Sequence, residues 1–129
     1  MNKILIEVSV GELLDKISIL EIKKERIKDT DKLKFINDEY LILKKQLDEN
    51  ITLDDQLKKL YEELKEINTK LWDIEDNKRM CEKNSDFGEN FIKLSRDVHF
   101  LNDDRAKIKL AINNQTGSKI KEIKQYTNY

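Results

Sequence analysis

The sequence predicts an all-α fold, a four-helix bundle built from two antiparallel helical hairpins of which the second is longer. Three observations carry that expectation. The 129 residues include no proline and only three glycines, while 40% are charged, a composition that suits long solvated helices. Apolar residues recur at spacings of three and four through most of the chain. Within each pair of consecutive apolar stripes, facing positions match residue for residue when the stripes run in opposite directions.

The elements follow in order. Lys3 to Val8 is a short, largely apolar run that reads as a strand. Ser9 and Glu12 form a capping box that starts a helix at Val10. This first helix runs to about Lys28 and carries Val10, Leu13, Ile17, Leu20, Lys24 and Ile27 on one seam. Asp29-Thr30-Asp31 signals a turn and a new start. Helix two then presents Leu33, Ile36, Tyr40, Leu43 and Leu47, which pair in reverse order with the first seam. Asn50 is the stop, and Thr52 with Asp55 is the next capping signal. Helix three carries a heptad seam from Leu57 through Leu60, Leu64, Ile67, Leu71, Ile74 and Lys78 to Cys81. A turn at Asn84 to Gly88 leads to helix four, whose seam is Phe87, Phe91, Leu94, Val98, Leu101, Arg105, Ile108 and Ile112, and Gly117 ends it.

Helices three and four, at about 30 residues and roughly 1.5 Å per residue, overhang the first hairpin by roughly 15 Å. That finger, around Trp72 to Val98, carries Trp72, Met80 and Ile92 outside its own seam. Leftover apolar side chains on a projecting hairpin predict a homodimer formed through it. An up-and-down path also returns the chain end to its start, so Lys3 to Val8 is expected to pair with part of Lys119 to Lys124, or else the tail forms a short amphipathic helix.

The balance of 25 Lys plus Arg against 26 Asp plus Glu, a net charge of -1, excludes the basic footprint of a nucleic-acid-binding domain. One cysteine, Cys81, and one histidine, His99, exclude a disulfide framework and the common zinc sites. There is no Gly-rich phosphate loop or nucleophile elbow, and the sequence predicts no cofactor or metal. The longest apolar run, Tyr40 to Leu43, is too short for a membrane span, so a single cytoplasmic domain over residues 1–129 is the expectation.

Most of the charge reads as solvated helix face. Arginine is rarer, only Arg26, Arg79, Arg96 and Arg105, and a guanidinium among lysines suggests forked hydrogen bonding. Arg105 stands on the seam opposite Leu64, where a charge needs a partner. One flank of the second hairpin collects Asn68, Trp72, Glu75, Arg79, His99 and Asn102, with Asn68 facing Asn102 and Glu75 near Ser95, and the other flank offers a Lys70 to Asp97 pair. Two readings stay open. In one, these groups tie the structure together and the protein is an interaction module that dimerises and binds another protein. In the other, Trp72, Glu75, Arg79, His99, Asn102 and Arg105 hold a small anionic ligand of nucleotide or sugar-phosphate type, with Trp72 stacking and Glu75 or His99 moving a proton. Whether the protein is an enzyme stays open with them. Glu62-Glu63-x-x-Glu66 looks like the first half of the motif of the all-helical nucleotide pyrophosphohydrolases, but the second half, Glu-x-x-Asp on a later helix, is absent.

Several stretches resemble an uncharacterised family of small helical proteins from bacteria and phages. They are Val8-Ser9-Val10-Gly11-Glu12-Leu13-Leu14-Asp15-Lys16-Ile17, Leu71-Trp72-Asp73-Ile74-Glu75-Asp76, Phe87-Gly88-Glu89-Asn90-Phe91-Ile92, Asn102-Asp103-Asp104-Arg105-Ala106 and the end from Gly117 to Tyr126. Some relatives are fused to tetratricopeptide-repeat arrays. The resemblance implies one domain and, by that fusion, an interaction module; it implies no activity.

Overall fold

The computed structural model describes residues 2–119 and 122–128. It contains four helices: α1 (Val10–Arg26), α2 (Thr30–Asn50), α3 (Asp55–Lys83) and α4 (Glu89–Thr116). Ser9 caps α1 by accepting from the backbone N–H of Glu12, and Asp29 caps α2 by accepting from Asp31 and Lys32. Gly117 closes α4 in the left-handed conformation, φ 67°, which glycine adopts without a Cβ penalty. The start of α3 differs from the expected Thr52 signal. Asp54 is the cap, accepting from the N–H of Leu57.

The two hairpins form as their seams predict. Lys24 behaves as a seam residue, its ammonium lying 4.0 Å from the centre of the Tyr40 ring across the first hairpin. Lys78 similarly reaches Phe91 across the second. Helix α1 is the hub: it packs on α2, α3 and α4, while among the described residues α2 has α1 as its sole helical neighbour. The core lies where α1 begins, α2 ends, α3 begins and α4 ends, and consists of Leu14, Ile17, Leu47, Leu57, Leu64 and Ile112. At its edge a Cβ on Gly11 would stand 2.6 Å from the carbonyl oxygen of Lys109. Only glycine lets α1 approach α4 this closely, and the Gly11 N–H donates to Asn113 Oδ1 at 2.7 Å.

The far end of α1 is tied to α3 by Arg26, which bonds Asp73 at 2.6 Å. Beyond that point α3 and α4 continue as a finger. It starts about a turn later than Trp72, since Trp72 shares a groove with Ile19 and Ile22 of α1. Met80 and Ile92 are 48% and 54% exposed on it, and Phe87 is comparably open.

The expected N-terminal strand does not form. No strand occurs among the described residues, and residues 3–8 run irregularly with Ile4 89% exposed. The segment has β-branched composition but no ladder partner among the described residues, and a strand is stable only when paired. Of the tail predicted to pair with it, residues 120 and 121 lie outside the described residues; residues 122–128 form neither strand nor helix. Glu122 instead bonds Lys109 of α4 at 3.1 Å. No helix among the described residues is long and apolar enough to cross a membrane.

Candidate functional site

The polar centre of the molecule is Asp15, whose residue is 1% exposed. It projects from the face of α1 that also carries Gly11, Ser18 and Ile22, residues spaced four, three and four apart and all buried. Arg105 meets it side-on, Nε donating to Oδ1 at 2.9 Å and Nη2 to Oδ2 at 2.5 Å. Asn68 of α3 donates through Nδ2 to Asp15 Oδ1 at 2.9 Å and to Ser18 Oγ at 2.8 Å. Lys109 stands 3.8 Å from Asp15 Oδ2 and donates to Glu12 at 2.8 Å. One carboxylate thus joins α1, α3 and α4.

Burial alone would push the Asp15 carboxyl up, but hydrogen bonds from Arg105 and Asn68 and the charges of Arg105 and Lys109 outweigh it and hold the group below its ordinary value. The hydrogen bond to Asp15 raises Arg105 in return. Lys109 is lowered by burial but raised on balance by Glu12, Asp15 and Glu122. A second ionic knot binds α1 to α3: the Tyr61 hydroxyl donates to Glu21, and Lys65 donates to Glu21 and Glu25 at 3.0 Å each. Burial, with that bond, pushes the Tyr61 phenol far up.

Beside this network lies a groove of about 410 Å³ lined by Ile19 and Ile22 of α1, Asn68, Leu71, Trp72, Glu75, Asp76 and Arg79 of α3, and Arg105 of α4. Four residues named from the sequence, Trp72, Glu75, Arg79 and Arg105, meet there. His99 and Asn102 are not among its lining residues. His99 is exposed, with its ring 4.4 Å from that of Phe100. Arg79 sits at the rim and reaches Glu75 of its own helix at 3.2 Å.

Two expected contacts are replaced. Asn68 faces Asp15 and Ser18, not Asn102, because α1 covers that flank and offers a buried carboxylate. Lys70 and Asp97 do not pair. Each finds a partner one turn away on its own helix, Lys70 with Glu66 at 3.6 Å and Asp97 with Lys93 at 2.6 Å, since the i,i+4 neighbour is nearer than the facing helix. The residue that sequence reasoning missed is Asp15. Its signal was the second stripe on α1, Gly11, Asp15, Ser18 and Ile22, which runs beside the apolar seam and looks like an ordinary polar face until a seam arginine demands an acid. Among the described residues no cluster of histidine, cysteine or carboxylates is arranged to hold a metal.

No curated protein matches the chain, and no solved structure matches it. A model of the DUF6165 family of unknown function matches residues 4–129, and the chain belongs to that family.

Proposed function

We propose that this protein is a small helical interaction module that acts by dimerising through the α3–α4 finger and binding another protein. The observation that carries this reading is the exposure of Met80, Phe87 and Ile92 on the part of the hairpin that α1 does not cover. Apolar side chains exposed on a projecting element gain by being removed from water. A net charge of -1 leaves little repulsion between two copies. The titratable groups at the base support the reading from the other side. Asp15, Arg105, Lys109 and Glu12 are bonded to one another, which suits a structural tie better than a general acid or base awaiting a substrate.

Light scattering across a concentration series tests it. The wild type is expected to pass to twice its 15.4 kDa mass at micromolar concentration, and the double variant Met80→Glu with Ile92→Glu is expected to stay monomeric with an unchanged circular-dichroism spectrum. A wild type that remains monomeric at high concentration contradicts the proposal.

A further inference from the structure

We propose that the outer face of α2 docks against the same face of a second copy of this chain, with the two helices antiparallel and crossing between Leu41 and Ile42. This goes beyond the finger dimer and does not depend on it, since α2 and the α3–α4 hairpin are separate elements.

The face exists because α2 uses only one of its sides in the fold. Leu33, Ile36, Tyr40, Leu43 and Leu47 form the seam toward α1 and are buried or partly buried. Phe35, Asp38, Ile42, Lys45 and Glu49 recur at three and four residues on the other side, and all are exposed. Phe35 is 75% exposed and Leu41 and Ile42 are 64% exposed, more than Met80, Phe87 or Ile92 on the finger. Among the described residues α1 is the one helix that packs on α2. Within a single chain these three side chains therefore stay in water, and covering them is favourable.

Charge names the occupant. About a midpoint between Leu41 and Ile42 the charges of α2 are mirrored with opposite sign, Lys34 by Glu49, Asp38 by Lys45 and Glu39 by Lys44. A second α2 running in the reverse direction sets Asp38 against Lys45 of the second copy, and Lys34 against its Asp48 and Glu49. Twofold symmetry makes each contact twice. Leu41 and Ile42 of both copies then meet at the axis, and Phe35 covers the methylenes of Glu49 in the second copy. Parallel docking would place Asp38 on Asp38 and Lys45 on Lys45, which like-charge repulsion opposes. The charges are available for this exchange. Lys34 and Asp38 have no ionic partner among the described residues, and Lys45 has only an exposed contact with Glu49 at 3.8 Å, which holds it weakly.

One helix laid along another makes an interface at the weak end of the specific range. The contact therefore forms above the micromolar concentrations of the finger contact. Where the finger dimer is present, each copy has a second self-complementary face, and dimers join further through α2.

Spectra of ¹⁵N–¹H pairs in the full chain, recorded from about 0.05 to 2 mM, bracket the roughly millimolar affinity of so small an interface. The outer-face amides between Lys34 and Glu49 are expected to shift saturably with concentration. Asp38→Lys sets two positive charges together and is expected to weaken the association at least about tenfold. Lys45→Asp sets two negative charges together and should do the same. Both substitutions in one chain exchange the signs and should restore the wild-type shifts. Both positions are exposed, so the circular-dichroism spectrum should not change in any of the three variants. Absence of concentration-dependent α2 shifts up to about 2 mM overturns the proposal. A double variant as weak as the single ones overturns it as well, since antiparallel pairing requires the rescue. Amides from Asn77 to Val98 read the finger separately. Loss of their shifts with those of α2 intact fails the finger reading alone, and the converse fails this one alone.

Discussion

The base and the finger of the α3–α4 hairpin share one heptad seam yet handle polar residues in opposite ways. At the base, α1 lies across the hairpin; Asp15, Asn68 and Lys109 are buried, Arg105 is partly buried, and the four are joined across three helices. On the finger, charges face solvent and pair within their own helix, as Arg79 does with Glu75 and Lys93 with Asp97. The seam is the same; the third helix decides whether a polar side chain becomes a structural tie or a solvated one. Where α1 stops, at the Arg26 to Asp73 pair, buried polarity gives way to exposed apolar surface.

This contrast is broken most severely at Asp15. Asp15→Ala leaves Arg105 half-buried without a counter-ion and Asn68 without its acceptor, and is expected to destabilise by about 3–5 kcal/mol in urea unfolding. Adding Arg105→Met to that variant should restore part of the loss, because the unpaired charge is then gone. If the double change costs as much as the two single changes added together, the tie is not the unit described.

Gly11→Ala should cost about 1–3 kcal/mol, since the new methyl meets the Lys109 carbonyl and α1 must move off α4. A melting curve unchanged by this substitution would show that the close approach is not needed to place Asp15.

Acid sharpens the comparison through linkage. The folded-state value of Asp15 is depressed, so its contribution is fully present above the unfolded value, near 3.9, and is lost as pH falls through the lower folded value. The melting temperature should therefore hold steady through mild acid and fall below about pH 4, and Asp15→Asn should flatten that fall while lowering stability at neutral pH.

Smaller effects belong to the finger. Ser85 holds φ 53° in the tip turn, and Ser85→Gly should stabilise by up to about 1 kcal/mol by relieving the left-handed strain. Arg79→Ala breaks an exposed pair and should move stability by no more than about 0.5 kcal/mol.

Helix ends and seams were legible because caps and heptads act locally. Ser9, Asp29 and Gly117 mark their boundaries wherever they stand. The seam arginine was also legible as a residue needing a partner. Its partner was not, because Asp15 sits 90 residues away, on a helix whose apolar seam faces α2 and whose second face has no periodic hydrophobic signal. The groove was half legible: Trp72, Glu75, Arg79 and Arg105 follow from helix spacing, while Ile19 and Ile22 depend on where α1 crosses. The strand at residues 3–8 failed for a related reason, since β-branched composition describes a segment fit for pairing and says nothing of whether a partner is there.

Amide hydrogen exchange at two protein concentrations tests the division between base and finger most directly. The account predicts that protection around Leu64–Asn68 and Ala106–Ile112 is high and independent of concentration, while protection from Asn77 to Val98 rises as copies associate through the finger. Finger amides protected as strongly as the base at the lowest concentration, or unchanged between the two, would contradict it.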